Sequence, residues 1–342
     1  LDTVRIGIAG LGRFGRLHAA TLAGLPGVEI AAVCDPDATA REVVSGRHAG
    51  ARAYASLDDM LDGDGLDAVF LVTPEQFHGE QALNVLRRGL PLFLEKPMGA
   101  TLEEATLVRD AAVAAGVPLQ LGFVLRFDTQ HAMLKAEIAA GRFGDLVSLR
   151  VKRNCSRAWF GDYGDRVHPV YETSIHDLDL MLWLTGSHCT SVYAVQRNHL
   201  GFTYPDGCWA LLEFADGAVA QVETSWFIPD GAPANVLTPN WHGTIDSDLE
   251  VVGTERTARM RLLDSGLAIW RQDVTAHPES GLWPDVAGAI GGALREQDRH
   301  FVERVRQGAA SAVASVDDAL EGIRIADAIV ASASGAGKIS LA

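Results

Sequence analysis

From Val4 to about Phe123 the apolar residues fall into two alternating textures. Short runs such as VRIGIA (4–9), EIAAVC (29–34), AVFLV (68–72), LPLFL (90–94) and PLQLG (118–122) are too brief for helices and too continuous for half-exposed strands. They read as strands buried on both faces. Between them, from Phe14, Ala38, Glu75 and Leu102 onward, apolar residues recur at helical spacing. Strands and helices in this rhythm build right-handed βαβ units, so the first half predicts a doubly wound parallel sheet within an α/β protein.

After Gly141 the period shortens to two. LVSLRVKR (146–153), SVYAVQRN (191–198), CWALLEFADGAVAQVETSWF (208–227), LEVVG (249–253) and ARMRLL (258–263) alternate apolar and polar positions. Asp216-Gly217 in the middle of the longest run predicts a hairpin. The second half therefore reads as α+β with an open, mainly antiparallel sheet. Helices are expected near Ala287–Gln307 and Val316–Ser334, the last packing back on the first domain, and 231–244 reads as a loop. The predicted domains are 1–123 and 124–342.

Composition narrows the partners. With 342 residues and a net charge of −15 spread thinly along the chain, phosphate-rich surfaces would meet a repulsive field, which argues against nucleic acid and anionic membranes. Cysteines at 34, 155, 189 and 208 form neither a disulfide framework nor a zinc motif. A reducing, cytoplasmic setting, no metal and no membrane span are the expectations.

The first chemical motif is Gly10-Leu11-Gly12-Arg13-Phe14-Gly15, directly after a strand and opening a helix. Glycine is needed at the tight turn, at the closest approach to a pyrophosphate and at the helix–strand contact, and the helix N-terminus then faces the negative charge. Asp35, at the end of the second strand, stands where a carboxylate would hold a ribose 2′-hydroxyl and repel a 2′-phosphate. NAD is favoured, while Arg13 and Arg41 leave room for NADP. Two further pieces end strands, Thr73-Pro74-Glu75-Gln76-Phe77-His78 and Glu95-Lys96-Pro97. A lysine boxed between an acid and a proline at a buried strand end is oddly placed for a solubility charge.

GLGRFGRLH, VCDPD, VTPEQFH, EKP and a later HDLD, in this order and spacing, resemble the Gfo/Idh/MocA family of oxidoreductases. The resemblance implies an N-terminal Rossmann domain, a C-terminal domain with an open sheet, a nicotinamide site between them, and a homodimer or homotetramer formed through the sheet. It implies cofactor contacts from the glycine loop (10–15), Asp35, Thr73, Pro74, His78, Glu95, Lys96 and Pro97, with the proline peptide often cis. Lys96 would reach the reacting hydroxyl. Where many members carry aspartate, histidine and aspartate, this chain has Glu172, His176 and Asp179.

On a regular helix those three side chains share one face, with Trp183 beside them. Imidazole, with an unperturbed pKa of about 6.5, suits the base that takes a hydroxyl proton as hydride leaves. Lys96 would stabilise the developing oxyanion, and Glu172 would bind a neighbouring hydroxyl or tune His176. Specificity is expected from Arg126 and from 154–168, where Asn154, Arg157, Trp159 and Tyr163 are candidates for gripping a sugar or polyol, and more loosely from Trp241-His242. The leading expectation is a dehydrogenase acting on a secondary hydroxyl of a sugar or cyclitol. The same parts serve an isomerase, epimerase or lyase with retained cofactor, and a non-catalytic NAD sensor is the third reading.

Overall fold

The computed structural model describes residues 3–341 apart from 64, 239–240, 263–265, 271, 273–274 and 312, and describes only the backbone at 238, 241 and 262. The chain divides into two compact units, Leu1–Phe127 with Trp283–Leu320, and Asp128–Leu282 with Glu321–Ala342.

The first unit alternates β1 (Val4–Ala9), α1 (Arg13–Ala23), β2 (Val28–Cys34), α2 (Ala38–Ser45), β3 (Arg52–Tyr54), α3 (Leu57–Gly63), β4 (Ala68–Leu71), α4 (His78–Arg87), β5 (Leu92–Leu94), α5 (Leu102–Ala115) and β6 (Leu119–Leu121). The six strands are parallel in the order β3-β2-β1-β4-β5-β6. Successive strands run outward to one side of β1 and then to the other. The chain thus reverses between β1 and β4, opening a crevice at the carboxyl ends of the strands. Every residue of β4 and β5 is buried, the pattern expected of strands covered on both faces.

No single cut in the sequence separates the units, because the first reclaims 283–320. Phe70 of β4 stacks on Phe93 of β5 at 4.5 Å, and Phe301 meets Phe70 edge-on at 5.2 Å. Trp283 likewise packs edge-on against Phe14 at 5.5 Å. The helix carrying Phe301 begins at Gly292 rather than Ala287. Residues 285–286 instead pair with 289–290, and the turn between them uses positive φ at Ala287 and Gly288.

The second unit contains α6 (Thr129–Ala139), β7 (Leu146–Ser156), α7 (Ile175–Thr185), β8 (Cys189–Arg197), β9 (Gly207–Phe214), β10 (Val219–Ile228), β11 (Val236–Thr238), β12 (Trp241–Gly243), β13 (Ile245–Gly253) and β14 (Thr257–Leu262). Its large sheet has the order β14-β13-β7-β10-β9-β8, followed by the short strand Ile339–Ser340, and is antiparallel except between β7 and β10. Asp216 and Gly217 turn the β9–β10 hairpin, with Gly217 at φ +91°. The expected loop 231–244 is instead a small ribbon, β11 paired with β12. Asn235 holds its base by bonding both backbone groups of Ile245. Among the described residues, no helix is long and apolar enough to cross a membrane.

Candidate functional site

In the first unit the ends of four neighbouring strands, β2, β1, β4 and β5, line the crevice. At the end of β1, Gly10 has φ +90°, and a Cβ there would lie 2.3 Å from the Val72 carbonyl oxygen. A Cβ on Gly15 would lie 1.9 Å from the Gly10 oxygen, so α1 can cross the loop this closely only with glycine. Gly12 is different, since a Cβ would meet nothing within 4 Å. The protein itself does not require glycine at that position, whereas an approaching pyrophosphate would. α1 begins at Arg13 with no acidic residue in its first turn and no side-chain cap, which keeps its positive end available to an anion.

Asp35 ends β2 with its carboxylate turned to the loop. Oδ2 accepts the Leu11 N–H at 2.8 Å and Oδ1 accepts the Asp37 N–H at 2.9 Å. Arg41 donates to the carbonyls of Asp35 and Pro36, bracing the turn from behind. The glycine geometry, the uncapped helix start and this carboxylate fit a dinucleotide, whose ribose Asp35 could hold and whose pyrophosphate the loop 10–15 could hold.

At the end of β4, Thr73 donates to Gln81 at 2.7 Å. His78 is buried, with Nε2 2.8 Å from the Thr73 oxygen and Nδ1 2.6 Å from the Pro97 oxygen. Burial holds its pKa below the ordinary imidazole value despite those two acceptors. His78 therefore ties the β4 turn to the β5 turn, and its ring nitrogens are turned to protein carbonyls rather than to a cofactor.

At the end of β5, the Glu95 N–H donates to the Leu71 oxygen at 2.9 Å, and the Lys96–Pro97 peptide is cis. Glu95 and Pro97 are buried, whereas Lys96 is partly exposed. The Glu95 carboxylate accepts the Lys96 N–H at 3.2 Å and lies 3.3 Å from His18 Nε2. His18 Nδ1 lies 2.9 Å from Asp298. Burial alone would lower the His18 pKa, but Asp298 and then Glu95 outweigh it and raise the ring to about 10. Sequence reading missed this cluster. His18 lies inside the quoted GLGRFGRLH stretch, yet nothing in the sequence links it to Asp298.

In the second unit the approach to α7 is not a regular helix. Val170–Ser174 forms a π-turn, in which bonds run i to i+5, so rotation by 100° per residue does not carry across into α7. Thr173 secures the turn by donating to the Pro169 oxygen and meeting Thr224 at 2.7 Å. Glu172, His176 and Trp183 are partly exposed, whereas Asp179, three residues after His176 in the same helix, is buried. Asp177 is buried as well and pairs with Arg153 of β7 at 2.5 Å, another feature the sequence did not disclose.

Several candidates for substrate contact are corrected. Arg126 is buried and donates to the Val313 oxygen and the Asp318 carboxylate, so its guanidinium braces the first unit. Asn154 neighbours Arg153 on β7 and so faces away from α7, bonding Glu223 and Ser225. Trp159 is buried and donates its indole N–H to the His242 oxygen at 2.9 Å, anchoring the β11–β12 ribbon. Tyr163 packs against Trp226 at 5.2 Å with Arg166 over its ring, while Arg157 is exposed. The Trp241 side chain lies outside the described residues. Among the described residues, no three His, Cys, Asp or Glu side chains form a metal-binding group.

Residues 4–123 match an oxidoreductase family with an NAD-binding Rossmann fold, and 131–259 match the C-terminal domain of that family. The chain is 30% identical over 326 residues to scyllo-inositol 2-dehydrogenase (NAD(+)) of Bacillus subtilis, covering 92% of this chain and 90% of that protein. It is 29% identical over 337 residues to the rhizopine catabolism protein MocA of Rhizobium meliloti, covering 95% and 93%. The crystal structure of myo-inositol 2-dehydrogenase from Lactobacillus plantarum shares the fold, with a TM-score of 0.84 at 23% identity and coverage of 99% and 100%. This chain belongs to the Gfo/Idh/MocA family of oxidoreductases.

Proposed function

We propose that this protein is an NAD-dependent dehydrogenase that oxidises a secondary ring hydroxyl of an inositol or a closely related sugar or polyol. The observation carrying this reading is the line of strand ends in the first unit, where the glycine loop and Asp35 lie along the same sheet edge as the Glu95-Lys96-Pro97 turn. The relatives named for inositol dehydrogenation supply the substrate class.

When bound, NAD supplies the hydride acceptor. The glycine loop and Asp35 would hold it. The Lys96 ammonium donates a hydrogen bond to the reacting oxygen and stabilises the negative charge that develops there. His176 takes the hydroxyl proton, and Glu172 binds a neighbouring hydroxyl. On the sheet face away from α7, exposed Tyr193, Leu211 and Val219 suit association with a second copy of the chain.

The test is NADH formation by the purified protein with NAD and a panel of inositols, sugars and uronic acids. Turnover that requires Lys96 supports the reading. Tight NAD binding without NADH from any member of the panel would count against it. A single-chain mass in sedimentation would refute the association.

A further inference from the structure

Three charged side chains from distant parts of the sequence meet beneath the turn that carries Lys96. Asp298 comes from the helix Gly292–Gln307, His18 from α1 and Glu95 from the end of β5. His18 and Asp298 are fully buried, and Glu95 nearly so. The imidazole packs edge-on against Phe93 at 5.0 Å and tilted against Phe70 at 5.5 Å, so its plane is fixed by the core. Nδ1 donates to Asp298 at 2.9 Å and Nε2 to Glu95 Oε1 at 3.3 Å. Both ring nitrogens face carboxylates, so the ring is held as the cation. Glu95 Oε2 in turn accepts the backbone N–H of Lys96 at 3.2 Å. The carboxylate has no room to swing toward β6, because even a Cβ on Gly122 would lie 2.5 Å from Oε1.

Two carboxylates buried with one imidazolium are an expensive way to fill a core, and apolar residues of the same volume often stabilise a fold as well or better. The chain of contacts ends on the residue whose amine meets the substrate. We propose that His18 and Asp298 are positioning residues for Lys96, acting through Glu95 to fix the turn from which the lysine projects. The proposal rests on the reading of Lys96 as a catalytic residue. It adds a task for the far C-terminal part of the chain, since Asp298 is 280 residues from His18.

The test compares wild type with Asp298→Asn and His18→Gln, which keep size and hydrogen-bonding capacity while removing charge. Turnover is read together with a signal independent of turnover. The chain has four lysines, at 96, 135, 152 and 338, so 13C-dimethylation gives a simple spectrum in which Lys96→Met identifies the Lys96 signal. Both variants are expected to fold and to keep the NAD Kd within about twofold. Their kcat should fall roughly tenfold or more while KM moves less than about threefold, since small misplacements of a reacting group act on the chemical step. The Lys96 signal should shift while the other three stay in place. Folded variants with wild-type kcat and an unmoved Lys96 signal would overturn the proposal. Loss of folding in both would also overturn it, by reducing the pair to a packing role. If Lys96→Met turns over normally, the catalytic reading fails by itself, and the Lys96 signal in Asp298→Asn still decides the positioning.

Discussion

Arg153 and Asp177 form an ion pair sealed inside the second unit, with Nη2 2.5 Å and Nε 3.0 Å from the two carboxylate oxygens. This pair fastens the first turn of α7 to β7, next to the residue that would take the substrate proton.

Removing one member of such a pair strands the other charge in a dry interior. Asp177→Ala should therefore lose about 3–5 kcal/mol of stability, read from urea denaturation. A double change to Arg153→Met and Asp177→Leu should recover most of that loss. Equal stability of Asp177→Ala and wild type would mean the pair is not closed in solution.

The glycine loop separates folding from binding. Gly12→Ala meets no atom within 4 Å, so its unfolding midpoint should stay near wild type while NAD affinity drops at least about tenfold. Gly15→Ala would press on the Gly10 oxygen at 1.9 Å and should lose both stability and affinity. Calorimetric titration with NAD, beside thermal melts, distinguishes the two outcomes.

If Asp35 holds the ribose, its removal should change the choice of dinucleotide. Charge-assisted hydrogen bonds contribute about 1.5–3 kcal/mol, so Asp35→Ser should weaken NAD roughly tenfold to a hundredfold. Affinity for NADP should fall less or rise, because the repelling carboxylate is gone. An unchanged ratio of the two Kd values would remove Asp35 from the ribose site.

His176→Ala should lower kcat at least about 100-fold, the usual loss for a general base, with NAD binding preserved. Steady-state turnover with the best substrate of the panel is the measurement, and near-normal turnover would exclude His176 from proton transfer.

Buried histidines set the pH range of stability, with opposite signs. His168 donates from Nε2 to Gln196 at 3.0 Å and accepts the Val170 N–H at Nδ1, and burial depresses its pKa. A depressed base stabilises the fold fully above its unfolded pKa, about 6.5, and loses that contribution as pH falls below it. His78 acts in the same direction. His18, raised to about 10, contributes fully below about 6.5 and loses its contribution as pH climbs through the folded value. Denaturation midpoints should therefore be highest near neutrality and fall on both sides. His168→Gln should flatten the acid limb alone, and an unchanged acid limb would exclude His168 from it.

Much of this protein was legible in the chain because its signals are local. Apolar runs too short for helices declared the parallel strands, and Gly10, Gly12 and Gly15 declared the loop, although the backbone approaches that only glycine tolerates are at Gly10 and Gly15. Asp35, Lys96 and His176 stand at strand ends or on a helix, in motifs whose resemblance to the family implies a role for each. What the sequence could not decide depends on partners far apart in it. The π-turn before α7 broke the helical arithmetic between Glu172 and His176, and Asp179 lies buried within α7 itself. Arg126, Asn154 and Trp159 carry chemistry that suits a ligand, and only the fold showed that Asp318, Glu223 and the His242 carbonyl already occupy it. His18 and Asp298 are ordinary residues until the core brings them together. Covalent neighbours fix backbone preference, but the free energy of a buried charge depends on what packs against it, and that is decided only in three dimensions.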